Sequence, residues 1–130
     1  MLTEFDIQEL AAAAKDASTR AYCPYSRFPV GAAVRAADGR VFAGCNVENA
    51  SFGLTVCAER NAIFNAVSAG AEAIAVLVVY TPTDTPVTPC GACRQVLFEF
   101  GKTAEVVCVC AGAQRLTFKA SELLPHGFTL

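Results

Sequence analysis

Two short cysteine motifs hold the residues of this chain that are best suited to chemistry. The first, Cys90-Gly91-Ala92-Cys93, separates two thiols by three positions. At the start of a helix that spacing puts both sulfurs on one face, where they can chelate one tetrahedral ion. A thiol redox pair is the alternative, but such pairs follow an early strand in a thioredoxin-like order that this chain lacks. The motif therefore predicts a metal site.

The second motif, Cys57-Ala58-Glu59, offers a third thiol and a carboxylate. Within a helix, residues two apart point in different directions, so both side chains can serve one ion only if a helix begins there, near Thr55. Three protein ligands and an open fourth position are typical of catalytic zinc. A Cys-x-Glu combined with Cys-x-x-Cys indicates a zinc deaminase of nucleobases. We predict one Zn²⁺ per chain on Cys57, Cys90 and Cys93, with Glu59 as the catalytic proton carrier.

A structural zinc is the main alternative to this catalytic site. It would need a fourth protein ligand, and Cys23, Cys45, Cys108 and Cys110 are available. Cys108 and Cys110 lie in a strand-forming segment, where small buried thiols are ordinary core residues. A closed four-sulfur site would make the chain a zinc-stabilised binding module without catalytic activity.

Three thiolates on Zn²⁺ give a net charge of about −1, which would weaken the ability of the metal to acidify water. Arg60 follows Cys57 by three positions, and Arg94 follows Cys93 by one. We expect both arginines to donate hydrogen bonds to the sulfurs. The helix N-termini at Cys57 and Cys90 would add positive dipole ends. For either arginine the alternative is a solvated helix face.

Length, composition and charge limit the other function classes. At 130 residues, we expect one domain spanning residues 1–130. A composition of 54% hydrophobic and 17% charged residues leaves apolar surface that a subunit interface would cover. The net charge is −2 and no Lys/Arg run occurs, so a polynucleotide is not an expected partner.

The sequence also favours a soluble cytoplasmic protein without a membrane partner. The first six residues are acidic, where a secretory signal would be basic. The longest apolar run, residues 73–80, is too short to cross a bilayer. Seven cysteines are an odd number, better explained by metal binding and buried thiols in a reducing compartment than by disulfides.

The elements that must position these residues follow from periodicity and turn signals. Thr3 and Asp6 resemble a capping box, Asp38-Gly39 indicates a hairpin, and Gly70 and Gly101 are helix stops. The predicted helices are 3–21, 55–68 and 90–100, and the predicted strands are 30–36, 41–46, 74–80, 105–110 and 114–119. This order predicts an α/β fold, either a three-layer α/β/α or a two-layer sandwich, whose mixed sheet has parallel strands flanking the third helix.

Four blocks in order make the chain resemble the cytidine deaminase family, in its short-chain homotetrameric form. They are Tyr25-Ser26-Arg27-Phe28-Pro29-Val30-Gly31-Ala32, Gly44-Cys45-Asn46-Val47-Glu48-Asn49-Ala50-Ser51, Cys57-Ala58-Glu59-Arg60 and Pro89-Cys90-Gly91-Ala92-Cys93-Arg94-Gln95. The resemblance covers nearly the whole chain. It implies a five-stranded mixed sheet with helices on both sides, and hydrolytic deamination of cytidine and deoxycytidine in pyrimidine salvage.

The resemblance also implies roles for residues outside the metal site. Asn46 and Glu48 would bind the sugar hydroxyls, Phe28 would pack on the pyrimidine, and Phe128 would reach the site of a neighbouring subunit in a homotetramer. Backbone groups around Ala58 and Pro89 would orient the leaving amine. Without the family pattern, the two phenylalanines would be expected in a core or an interface.

The chain departs from the family pattern at one position, and two related activities remain as alternatives. Phe52 stands where family members usually have Tyr, so any hydrogen bond made by that hydroxyl is missing. A deaminase of a cytosine-containing antibiotic such as blasticidin S shares the zinc motifs, but Glu48 keeps the nucleoside type of sugar contact. A nucleic-acid-editing deaminase would need a basic surface. His126, the only histidine, is expected on the surface or at an interface.

Overall fold

The computed structural model describes residues 2–130, so Met1 lies outside the described residues. The chain forms four α-helices and five strands in this described part. The helices are α1 (Glu4–Ser18), α2 (Ala58–Ser68), α3 (Gly91–Phe100) and α4 (Ala120–Leu123). The strands are β1 (Gly31–Ala36), β2 (Val41–Cys45), β3 (Ile74–Thr81), β4 (Glu105–Cys110) and β5 (Leu116–Lys119).

The five strands form one mixed sheet in the order β2-β1-β3-β4-β5. β3 and β4 are parallel and are joined through α3, whereas the other neighbouring strands are antiparallel. Helix α1 packs on one face around Ile7, Leu10 and Ala14, while α2, α3 and α4 cover the other face. This confirms the α/β prediction and decides between its two forms, because helices on both faces make a three-layer α/β/α sandwich.

Helix α1 begins as predicted but ends at Ser18 rather than near Ala21. The backbone N–H of Thr3 donates to Asp6 at 2.9 Å, and the Asp6 N–H donates to Thr3 Oγ1 at 3.1 Å, which completes a capping box. After Ser18 the chain leaves the helix, because the Tyr22 N–H donates to the Asn46 carbonyl at 3.0 Å. That backbone pairing ties the segment after α1 to the end of β2.

The two helices that carry the cysteine motifs begin later than the sequence patterns predicted. Cys57 is the N-cap of α2 and Cys90 is the N-cap of α3. The predicted start of α2 at Thr55 is wrong, because Val56 forms a β-bridge with Val47 and so remains extended. The later start strengthens the argument for the site, since an N-cap residue and the residue two positions later can face the same surroundings.

Helix α2 packs closely on strand β2 at Gly44. A Cβ atom on Gly44 would lie 2.5 Å from the backbone nitrogen of Ala62, so only glycine permits this approach.

β5 starts at Leu116, not Gln114, because its pairing with β4 begins at Cys108. The sequence patterns did not predict α4 or the 3₁₀ turn Phe52–Leu54. Within residues 2–130, no helix has both the length and the apolar character needed to cross a membrane.

Candidate active site

The three predicted metal ligands lie together at the N-termini of α2 and α3. Cys57 Sγ is 3.8 Å from Cys90 Sγ, and Cys90 Sγ is 3.3 Å from Cys93 Sγ. All three sulfurs lie within 4.8 Å of one another. Cys57 and Cys90 are N-caps that leave their side chains free of capping bonds, and Cys93 is buried in the first turn of α3. Two positive helix ends therefore meet three sulfurs.

This arrangement fits a tetrahedral zinc ion. Sulfurs about 2.3 Å from a shared zinc lie about 3.8 Å from each other, close to the observed separations. Among the side chains of residues 2–130, these three cysteines are the only group of three or more candidate ligands within reach of one ion. Burial raises the pKa of the Cys108 thiol to about 12, as expected for a neutral core residue. A fourth cysteine ligand therefore finds no support.

Arg60 lies against this sulfur cluster. Its Nη2 donates to Cys57 Sγ at 3.3 Å. A hydrogen bond from the Cys93 thiol, followed by that from Arg60, lowers the pKa of Cys57 to about 5, while the same pairing raises the pKa of Cys93. The Nε of Arg60 is buried with no acceptor among residues 2–130. This guanidinium therefore retains an unused donor beside the Cys57 sulfur, the one whose pKa it helps to lower.

Arg94 has a different position from the one predicted for it. Its Nε donates to the Pro89 carbonyl at 2.7 Å, Nη1 to the Leu123 carbonyl at 3.0 Å, and Nη2 to Thr88 Oγ1 at 2.9 Å. Its hydrogen-bond partners in the described structure are therefore oxygens, not the sulfurs. The prediction of a bond to a ligand is wrong because all three nitrogens are used to join the loop before Cys90 to α4.

Glu59 follows two positions after Cys57 in the first turn of α2 and is 6% exposed. Burial raises the pKa of its carboxyl to about 7, with a further contribution from the Cys57 thiolate. A carboxyl that titrates near neutral pH can both accept a proton and return it. Its position next to a metal site matches the role of a proton carrier.

A cavity of about 280 Å³ opens beside Glu59 and the sulfurs. It is near the lower limit for small-molecule sites, about 300 Å³. The predicted substrate contacts Phe28, Asn46, Glu48 and Ala58 all line it. The sequence did not identify several other lining residues, which come from the segment before β1, the residues before α2, strand β3 and the loop before α3: Ser26, Val30, Thr55, Val79, Thr81, Val87 and Thr88. No cationic side chain is among the residues described as lining this cavity, which contains two carboxylates.

The polar end of the cavity is held by Glu48 and Asn46, both 9% exposed. Glu48 accepts from the N–H of Tyr25 at 2.9 Å and of Ser26 at 3.1 Å, and from the Ser26 hydroxyl. The hydrogen bond from the Ser26 hydroxyl is the main reason that the pKa of Glu48 is lowered, so this carboxylate is ionised at neutral pH. Asn46 accepts from the Val30 N–H at 2.9 Å and donates to the Phe28 carbonyl at 2.9 Å. These bonds fix the Tyr25–Val30 loop around the cavity.

Three other residues considered from the sequence lie outside the cavity. Phe128 is 67% exposed, and its carbonyl accepts from Gln95 Nε2 at 3.2 Å. Phe52 is 72% exposed, and its ring packs edge-to-face with the Tyr25 ring, with 5.6 Å between the ring centroids. His126 is exposed, as expected, in a left-handed backbone conformation with φ 59°. A role for Phe128 at another subunit's site remains a prediction.

Replacing Arg60 with Ala is expected to lower zinc affinity or turnover about 10- to 100-fold, the usual effect of removing a partner that orients a metal ligand. Zinc retention against a chelator, measured beside kcat, reports both effects. Arg20→Ala removes an exposed arginine paired with Asp16 and serves as the control. An Arg60→Ala protein with native metal content and native rate would show that the bond to Cys57 is dispensable.

Comparison with known proteins gives matches over nearly the whole chain. A family model described as the cytidine and deoxycytidylate deaminase zinc-binding region matches residues 5–110. The cytidine deaminase of Halalkalibacterium halodurans is 47% identical over 127 residues, covering 95% of each chain. The cytidine deaminase of Mycobacterium tuberculosis H37Rv is 40% identical over 129 residues, covering 99% of this chain and 94% of the relative.

Solved structures give the same result. The crystal structure of cytidine deaminase from Burkholderia pseudomallei matches with a TM-score of 0.90 and 49% identity, covering 93% of this chain and 98% of that one. The dCMP deaminase of cyanophage S-TIM5 matches with a TM-score of 0.57 and 19% identity, covering 84% of this chain and 86% of that one. At 19% identity, the match to the cyanophage dCMP deaminase shows only that the fold is shared.

Proposed function

The chain belongs to the cytidine deaminase family, and on that premise we propose that residues 1–130 form one domain that converts cytidine and deoxycytidine to uridine and deoxyuridine with release of ammonia. It is a zinc-dependent hydrolase. The observation that carries the proposal is the placement of Glu59 beside a three-cysteine zinc site, at the wall of a cavity of nucleoside size. The supporting comparisons extend over nearly the full length of the chain.

Each part of the site has a role in this reaction. When bound by the three sulfurs, zinc supplies the Lewis acidity that makes a water molecule nucleophilic near neutral pH. Glu59 takes a proton from the attacking water and delivers it to N3 of cytosine. It then carries the second proton of that water to the amino group at C4, which leaves as ammonia. Arg60 holds the Cys57 sulfur in place through its 3.3 Å hydrogen bond.

The remaining lining residues bind and orient the nucleoside. Phe28 supplies an aromatic face for the pyrimidine, while the Glu48 carboxylate and the Asn46 amide receive the sugar hydroxyls. Backbone groups of Ala58 and Pro89 orient the base and the leaving amine. The Ser26 and Tyr25 donors keep Glu48 ionised, so it is ready to accept from a hydroxyl.

The charge of the cavity favours a nucleoside over a nucleotide. Glu48 and Glu59 are both acidic, and the lining residues that the structure describes include no lysine, arginine or histidine to receive a phosphate. A 5′-phosphate would therefore meet repulsion without a compensating charge. We propose free cytidine and deoxycytidine as the substrates, and neither a deoxycytidylate nor a polynucleotide.

We also propose that the protein works as a cytoplasmic homotetramer. Several large apolar side chains are strongly exposed in the single chain, among them Phe5, Phe52, Leu54 and Phe128. Contacts between copies would remove them from water and could bring Phe128 to a neighbouring site. All seven cysteines are unpaired thiols, which suits a reducing compartment. Light scattering should give the mass of four 13.6 kDa chains, and a stable monomer would contradict this part of the proposal.

A substrate panel tests the proposed function. Purified zinc-loaded protein is assayed by ultraviolet absorbance with cytidine, deoxycytidine, deoxycytidine 5′-monophosphate, adenosine, blasticidin S and a cytosine-containing oligonucleotide. We expect turnover of the first two, with kcat/KM for the monophosphate lower by at least about 100-fold, since one unpaired charge costs several kcal/mol. Preferential turnover of blasticidin S, the monophosphate or the oligonucleotide would contradict the proposed substrate class.

A further inference from the structure

Thr81 is a buried polar residue of the cavity wall that the mechanism above does not use. Thr81 is the last residue of β3, is 3% exposed, and lines the cavity together with Val79 on the same strand. A buried hydroxyl in an otherwise apolar part of a cavity wall has a substantial cost unless its hydrogen-bonding capacity is used.

The hydrogen bonds around Thr81 fix the direction in which its hydroxyl points. Thr83 Oγ1 lies 2.6 Å from the Thr85 carbonyl, which can only accept, so the single proton of Thr83 is committed to that bond. Thr81 Oγ1 lies 2.8 Å from Thr83 Oγ1. Because Thr83 has no second proton, Thr81 must be the donor of this bond. Thr81 can therefore offer a ligand only its lone pairs, and it behaves as an acceptor.

The sheet places this acceptor opposite the sugar-binding end of the cavity. Gly31 pairs with Cys45 on one side and with Tyr80 on the other. One residue further along, the ends of these three strands place Asn46, Val30 and Thr81 in a row. Val30 and Asn46 are joined by hydrogen bonds. Asn46 and Thr81 are thus two strand spacings apart, about 9.6 Å. Because Asn46, Glu48 and Thr81 line the same cavity, a nucleoside with its sugar at Asn46 and Glu48 can extend its base towards Thr81.

We propose that Thr81 is a specificity-determining residue whose hydroxyl accepts a hydrogen bond from the exocyclic amino group of the pyrimidine, and that Thr83 fixes it as an acceptor. This inference rests on the proposed function, because it assumes that a cytosine nucleoside occupies the cavity. It assigns to these two threonines the discrimination between substrate and product. The amino group of cytosine is a donor, whereas the carbonyl of uracil is an acceptor and would meet the lone pairs of Thr81 without a proton between them.

The test compares Thr81→Val, Thr83→Val and Thr81→Ser with the native enzyme, using KM for cytidine and the inhibition constant Ki for uridine. Thr81→Val removes the hydroxyl at nearly constant shape, so KM should rise about two- to tenfold. The ratio of Ki for uridine to KM for cytidine should fall by a similar factor. Thr83→Val frees the proton of Thr81 to donate to uracil, so uridine should inhibit about two- to tenfold more strongly. Thr81→Ser should restore the native ratio.

Zinc content and melting temperature are measured on every variant, since a purely structural role would change stability without changing that ratio. A Thr81→Val enzyme with the native ratio would overturn the assignment, as would a Thr83→Val enzyme in which uridine inhibition is unchanged. If Thr81→Val does not fold, the Thr83→Val result decides alone. Native enzyme that fails to deaminate cytidine would instead refute the proposed function, so the two failures are distinguishable.

Discussion

Glu59→Gln is expected to retain one zinc per chain and to lower kcat/KM for cytidine by about 10²–10⁴-fold, the usual contribution of a positioned general acid–base group. Glutamine keeps the shape of the side chain, and no sulfur is changed, so the metal site survives. A carboxamide cannot accept the proton of the attacking water or deliver one to N3, and the reaction therefore loses its proton carrier. Steady-state kinetics together with metal analysis of the same preparation measure both quantities.

Glu99→Gln is the matched control for this prediction. Glu99 is an exposed residue of α3, so the substitution makes the same change of charge away from the cavity. Its kcat/KM should stay within about twofold of native, as expected for a surface substitution. A Glu59→Gln protein with more than a tenth of native activity would contradict the proton-carrier role, even if its zinc content were normal.

Cys90→Ala is expected to lose zinc and, with it, measurable deamination. The Cys90 sulfur lies 3.8 Å from that of Cys57 and 3.3 Å from that of Cys93, so it completes the set of ligands between the two helices. Two remaining thiols bind zinc much more weakly than three. Zinc per chain after dialysis should fall from about one to near zero, measured by atomic emission spectrometry.

The control for metal loss is Cys45→Ala. Cys45 ends β2, is only partly buried and lies outside the three-sulfur group. This variant should retain zinc and activity, which separates loss of a ligand from loss of any cysteine. If Cys90→Ala kept a full equivalent of zinc through dialysis, another residue would have to be the third ligand, and the three-cysteine site would be wrong.

The metal ligands and Glu59 could be identified from the sequence because zinc chemistry demands particular side chains at particular spacings, whereas Phe28, Asn46 and Glu48 were predicted only from the family resemblance. Cys90 and Cys93 are three apart on one helix, and Cys57 with Glu59 requires a helix start, which the structure provides. The α/β fold followed from similar local signals, such as the Thr3–Asp6 capping box and the alternation of helices with apolar strands. Helix starts were less accurate, since the bridge between Val47 and Val56 is a tertiary contact.

The features that the sequence could not provide depend on distant contacts. Arg94 lies one position after a ligand, but its three nitrogens reach the carbonyls of Pro89 and Leu123 and the hydroxyl of Thr88. No spacing rule relates α4 to that arginine. The orientation of the Thr81 hydroxyl likewise depends on the course of the loop after β3, where Thr83 turns back towards the strand end. A single threonine in a Pro/Thr-rich segment gives no such signal.

X-ray absorption at the zinc edge of the native protein tests the central claim most directly. The site predicts three sulfur neighbours at about 2.3 Å and one oxygen at about 2.0 Å, with that oxygen replaced or shifted when a nucleoside inhibitor binds. This result would establish a metal that holds three cysteines and still admits a water molecule beside Glu59. Four sulfurs with no response to the inhibitor would describe a closed structural zinc, and the catalytic account would then be incorrect.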